Sequence, residues 1–108
     1  MLGALDRGLN SPHAQTLARA RHLTQPPALA FGQTVRRVRE SAGVAQKALA
    51  LIAEMDRSYL GRLERGEKQP SLDVVFRLAV ALGVIPGDLV AKIEVQARKA
   101  KKVKRARG

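Results

Sequence analysis

The sequence predicts an all-α fold, five short helices packed around one small core. Three observations carry this prediction. Apolar residues recur at helical spacing from residue 30 onward, and glycines and capping residues punctuate those stretches. Only the β-branched pairs Val74–Val75 and Val84–Ile85 hint at strand, and both are too short. With 108 residues the chain has room for one domain of about 65 residues plus tails. The expected division is a flexible N-terminal extension at 1–29, a domain at 30–94 and a basic tail at 95–108.

The first helix is expected from residue 30. Phe31, Val35, Val38 and Ala42 recur on one helical face, and Gly43 stands where a left-handed residue ends a helix. A second helix fits Gln46–Ala53, with Leu49, Ala50, Ile52 and Ala53 inward. A third fits Arg57–Arg65, capped by Asp56 and stopped by Gly66, with Leu60 and Leu63 inward. Ser71 caps a fourth, Leu72–Leu82, whose apolar stripe is Leu72, Val75, Phe76, Leu78, Ala79 and Leu82, and Gly83 ends it. A fifth starts at Pro86, a favoured first helical residue, and carries Leu89 and Ile93 toward the core. Upstream, "HAQTLARARHL" suits a short helix that "QPP" would end.

The formal net charge is +11, and its placement says more than its sum. Residues 95–108 hold seven Lys and Arg and no acid, while 30–94 are nearly balanced. A basic pole of this kind favours polyanions, nucleic acid or an anionic membrane surface. The chain has no Cys, so neither a disulfide framework nor a thiolate zinc site is possible. His13 and His22 have no carboxylate between them and read as two exposed histidines; no metal and no cofactor are expected. Apolar runs are only a few residues long, so no membrane span is expected. The N-terminal stretch is Arg-bearing and acid-poor, as organellar presequences are, but Asp6 favours a plain leader. An enzyme is not expected, because residues 30–94 contain no phosphate-cradling glycine loop, no Cys and no His.

The second and third expected helices, joined by three residues, form a helix-turn-helix arrangement. A helix of this kind fits the DNA major groove, and its first residues project away from the core. Arg57, Ser58, Gly61 and Arg62 fall on the side opposite Leu60 and Leu63, with Arg65 at the trailing end. Gly61 removes a side chain from that outward face, at a cost in helix propensity.

The joint spacing of Gln46, Leu49–Ala50, Glu64–Arg65–Gly66, Pro70–Ser71–Leu72 and Ala79 through Leu82–Gly83–Val84 resembles a known family. That family is the lambda-repressor-like, Cro/xenobiotic-response-element type of helix-turn-helix DNA-binding domain, and the resemblance covers about residues 30–92. It implies base reading by Arg57, Ser58 and Arg62, with Asp56 and Tyr59 beside them. It implies phosphate contacts from Gln46, Lys68 and Gln69, with Lys47 as a further candidate or a bystander. It also implies an ion pair between Arg39 and Glu64 that ties the first helix to the third. The plainer reading of Arg57, Arg62 and Arg65 is a solvated face, and Tyr59 is as compatible with the core edge as with DNA.

Three residues depart from the family's pattern. Ala45 replaces the usual capping Ser or Thr before the second helix, a cap worth about 1 kcal/mol. Glu54 stands in the turn where glycine is usual, and a left-handed non-glycine costs about 1–2 kcal/mol. Ile85 precedes Pro86 where a capping Ser or Asp is common.

The expected function is a sequence-specific, non-enzymatic transcriptional regulator, a repressor or autoregulator in the prokaryotic cytoplasm. Its partners would be double-stranded DNA and a second copy of the chain, with dimer contacts from Val84, Ile85, Leu89, Val90 and Ile93. The basic tail would add sequence-independent attraction to phosphate. Two alternatives use the same residues: an antitoxin-like or adaptor module that binds a small protein partner, and a non-specific nucleic-acid binder driven by the tail.

Overall fold

The structure is a computed structural model and describes residues 23–99. His13, His22, the upstream helix and residues 100–108 of the basic tail lie outside the described residues. Five helices and no strand occur among those described: α1 (Pro27–Ser41), α2 (Gln46–Ile52), α3 (Arg57–Glu64), α4 (Leu72–Leu82) and α5 (Pro86–Arg98). The all-α, five-helix expectation holds. The first helix starts three residues early, with Pro26 as its N-cap and Pro27 as its first residue, a favoured place for proline. The last runs through Arg98, so four residues assigned to the tail are helical, and Gln96 and Ala97 are buried.

One device ends four of the five helices. A residue in the left-handed region turns the chain, and the next N–H reaches back five residues to a carbonyl of the last turn. At α1 the pair is Gly43 and Val44, whose N–H donates to the Arg39 carbonyl at 3.1 Å; Gly66 with Glu67 ends α3 and Gly83 with Val84 ends α4 in the same way. At α2 the left-handed residue is Glu54, with φ 56°, the sole non-glycine at positive φ among the described residues. Its own N–H donates to the Leu51 carbonyl and Met55 N–H to the Ala50 carbonyl, so the geometry is the glycine motif built with the wrong residue.

What holds Glu54 there is Arg77 of α4. Its Nη1 donates to the Ala53 carbonyl at 3.1 Å and the Glu54 carbonyl at 3.0 Å, while its Nε bonds Asp73 one turn back. Those carbonyls would otherwise be unpaired at the end of α2. Glu54→Gly is therefore expected to stabilise the fold by about 1 kcal/mol, because it removes the side-chain clash at unchanged geometry. A rise in the urea midpoint at constant slope would show it; a lower midpoint would mean the turn is not strained.

The core is Phe31, Val35, Leu49, Ala50, Ala53, Leu60, Leu63, Val74 and Leu78, with Leu82, Val75 and Ile93 packed at its edge. Two expected core residues are not in it: Ile52 is 59% exposed and Leu72 is 71% exposed. Helix geometry explains both. Ile52 lies about 100° around α2 from the seam of Leu49, Ala50 and Ala53, and Leu72 lies about 140° from the Val74–Leu78 side of α4. Phe76, also placed inward by the sequence reading, is half exposed. Together Leu72, Phe76 and Val80 form a second apolar stripe on α4, opposite the buried one.

Helix α1 packs against α5 and α3 and so ties the last helix to the helix-turn-helix pair. It crosses the end of α3 at Gly32, which is buried against the Leu63 and Glu64 carbonyls. Thr24, ahead of α1, closes the other side. Its N–H donates to the Ala97 carbonyl, and its hydroxyl contacts the Ala97 and Lys99 carbonyls at the end of α5. No single helix among the described residues is long and apolar enough to cross a membrane.

Candidate nucleic-acid interface

Helix α3 owes its position to two buried leucines and one buried ion pair. Leu60 and Leu63 are fully buried, which fixes the opposite side of the helix outward. The Arg39 guanidinium and the Glu64 carboxylate meet bidentately, Nε to Oε2 at 2.7 Å and Nη2 to Oε1 at 2.9 Å. Their side chains are 10% and 3% exposed. The remaining donor of Arg39, Nη1, bonds the Val44 carbonyl, and Gln46 Nε2 donates to Glu64 Oε1 at 2.9 Å. The hydrogen bond to Glu64 raises the pKa of Arg39 above its ordinary value against the opposing effect of burial. One network therefore joins α1, the α1–α2 connection, α2 and α3. The ion pair expected from the sequence is formed.

Gln46, Arg57, Ser58, Gly61, Arg62 and Arg65 line one depression of about 310 Å³ on the outward side of the helix pair. Four of these, Gln46, Arg57, Ser58 and Arg62, are sequence-predicted site residues that the fold brings together. Arg57, Ser58 and Arg62 are exposed, and Arg57 has no side-chain partner among the described residues. Gln46 spends one amide N–H on Glu64 and keeps a second donor. Gly61 is not a bare patch: a Cβ there would lie 3.3 Å from Arg65 Nη1 and 3.7 Å from Gln46 Oε1. The gap left by the missing side chain is filled from within the protein.

The other candidates are placed apart from that depression. Lys47, Lys68 and Gln69 are exposed, the last two in the loop after α3. Tyr59 is partly buried and packs against the core, which favours the core-edge reading. Asp56 precedes α3 as expected, but its side chain makes no capping bond. Its Oδ2 accepts from the Ser58 hydroxyl two residues on, a local bond that competes with the backbone N–H groups.

Sequence reasoning passed over Glu67. Its carboxylate lies 2.8 Å from Arg65 Nε, 3.3 Å from Arg65 Nη2 and 3.8 Å from Arg62 Nε. The hydrogen bond from Arg65 holds its carboxyl below the usual carboxylate range, and the same bond raises Arg65 above its ordinary value. The signal was present in Gly66, since the helix-ending motif folds the next residue back over the last turn.

A second helix held across a short turn, with exposed arginines on its outer side and an ion pair behind it, defines a helix-turn-helix DNA-binding protein of the lambda-repressor-like class. Comparison with known families agrees: the model of the helix-turn-helix domain family matches residues 30–93, and the chain belongs to that family. Control protein C.BamHI of Bacillus amyloliquefaciens is 41% identical over 63 residues, covering 57% of this chain and 78% of its own length. Among solved structures, the restriction-modification controller protein C.AhdI from Aeromonas hydrophila is 40% identical with a TM-score of 0.56, over 57% of this chain and 94% of that one. The clp gene regulator ClgR from Corynebacterium glutamicum is 28% identical with a TM-score of 0.69, over 78% of this chain and 90% of that one.

Proposed function

We propose that the chain is a sequence-specific transcriptional regulator that binds a two-fold DNA operator as a homodimer through the major groove. The observation that carries this reading is the exposed Arg57–Ser58–Arg62 surface on a helix oriented from behind by Arg39 and Glu64. Arg57 and Arg62 read base edges, with Ser58 between them. Gln46, Lys47, Lys68 and Gln69 meet phosphate around them, and the basic tail adds a sequence-independent term. The action is that of a repressor or autoregulator in the prokaryotic cytoplasm. The restriction-modification controller protein C.AhdI, at 40% identity, favours a restriction-modification context.

The dimer reading needs one correction. Leu89 is fully buried in its own chain's core and cannot form the contact assigned to it from sequence. Ile85, 68% exposed, and Val90 still can, and the outer stripe of Leu72, Phe76 and Val80 supplies more apolar surface. A helix that is apolar on both sides is normally covered on both. Half-sites of the operator would lie about 34 Å apart, one helical turn.

Selection of bound duplexes from a random pool tests the reading, with a palindromic motif as the expected result. Arg57→Ala and Arg62→Ala should each lower preference for the selected site by about 1–3 kcal/mol. Equal weakening on every sequence would instead assign these arginines to phosphate. Recovery of no motif would leave the tail-driven, non-specific reading, and co-purification with a small protein would favour the antitoxin-like one.

A further inference from the structure

Glu67 is the acid that meets the arginines of the outward charge cluster, and the backbone puts it there. Gly66 takes the left-handed conformation at φ 77°, and Glu67 N–H then donates to the Arg62 carbonyl at 2.9 Å. With its main chain pinned to the last turn of α3, the Glu67 carboxylate faces Arg65 and Arg62 and no other described cation. Arg62 and Arg65 both line the depression on the DNA-facing side, whereas Arg57, also lining it, has no partner. Arg65 thus already holds an anion through hydrogen bonds, and Arg62 lies 3.8 Å from the same carboxylate.

A phosphate approaching Arg62 or Arg65 must displace that carboxylate and lie beside its negative charge. Phosphate is everywhere on a duplex, so the penalty falls on every sequence. A guanine edge that presents two acceptors in the right place returns bidentate bonds to an arginine, and only the correct sequence presents it. Specificity is a difference of affinities, so a penalty common to all sequences cancels from it: it lowers the affinity for every duplex and leaves the preference for one to the base contacts. We propose that Glu67 sets the affinity for duplex DNA: it is an internal anion that competes with DNA phosphate for Arg65 and Arg62 and so weakens binding to any sequence. The proposal rests on the DNA-binding reading and adds the competitor to it.

The test is Glu67→Gln in the full chain, measured against wild type on the selected site and on a random duplex across a salt series. Glu67 is exposed and its backbone bonds are kept, and an unchanged thermal midpoint would verify that the variant folds. The variant should bind both duplexes more tightly than wild type by a similar factor, and keep the preference between the two sequences. Release of two arginines to phosphate should steepen the log–log salt slope by about 1.8. The gain over wild type then shrinks about tenfold between roughly 50 and 200 mM salt. Unchanged affinity and slope would make Glu67 a screened bystander and overturn the proposal. Weaker binding to both duplexes would overturn it too, by showing that Glu67 orients the arginines for contact. If wild type itself binds no duplex at low salt, the DNA-binding reading fails and the proposal falls with it.

Discussion

Gly32→Ala is expected to cost this protein about 3 kcal/mol or more, from about a quarter to three quarters of what holds a domain of this length folded. A Cβ at position 32 would stand 2.3 Å from the Leu63 carbonyl oxygen, 2.6 Å from that of Glu64 and 2.8 Å from the Glu64 carbonyl carbon. All three are backbone atoms of α3, so no side chain can rotate away. The methyl can fit only if α1 and α3 separate, which opens the contact that buries Phe31 and Val35 against Leu60 and Leu63. Overpacking of a closed core costs about 1–3 kcal/mol, occasionally more, and a backbone obstacle belongs at the upper end. The whole domain is worth only about 4–12 kcal/mol at this length. Gly87→Ala is the control, since no atom lies within 4 Å of its would-be Cβ and the residue is in the first turn of α5. That change should raise stability by about 0.5–1 kcal/mol. Urea denaturation followed by far-ultraviolet circular dichroism separates the two; equal midpoints would show that α1 and α3 can slide apart at little cost.

Glu64→Ala is expected to destabilise by about 3–5 kcal/mol, because it strands the Arg39 guanidinium in a buried site. The intact pair is not an equally large net gain. Desolvation of both groups offsets much of their attraction, and the number describes the loss of one partner. Arg39→Met combined with Glu64→Leu should therefore recover a large part of the loss. Recovery should be incomplete, because the Val44 carbonyl loses the Arg39 Nη1 donor and Gln46 loses the Glu64 acceptor. A thermodynamic cycle over the two single variants and the double variant measures the coupling. A double variant no more stable than Glu64→Ala would mean that shape, rather than charge pairing, sets the value of the site.

The consequence for the reading surface differs between the two experiments. Gly32→Ala displaces the end of α3 as a whole. Glu64→Ala leaves α3 anchored by Leu60 and Leu63 but frees Gln46 from the carboxylate that holds its amide. Gln46 is the residue through which the buried network reaches the depression at Arg57 and Arg62.

How far the sequence alone reached depends on the range over which each feature is written. Helix positions, the capping Ser71 and the helix-ending glycines were legible because caps and periodicity are set by contiguous residues. Ser71 Oγ does accept from Val74 N–H at 3.1 Å, and α4 has the bounds expected. Glu54 was legible as an anomaly, and the structure resolves it as a left-handed turn braced by Arg77. The surface of Arg57, Ser58 and Arg62 followed from two inward leucines three residues apart. The Arg39–Glu64 pair, 25 residues apart, came only through the family resemblance.

What the sequence by itself determined, then, is the set of helices, the helix-turn-helix pair and the outward face of its second helix, because each follows from backbone conformation and helical period within a short window. Tertiary structure alone decided which apolar side of α4 is covered and that Leu89 is core. It also decided that Gly32 is a crossing point, that Arg77 braces the turn and that Glu67 lies against Arg65 and Arg62. Each of these turns on atoms from segments distant in the chain arriving within a few ångströms of one another. Neither periodicity nor capping chemistry encodes such meetings, and the close-packed interior makes them matter.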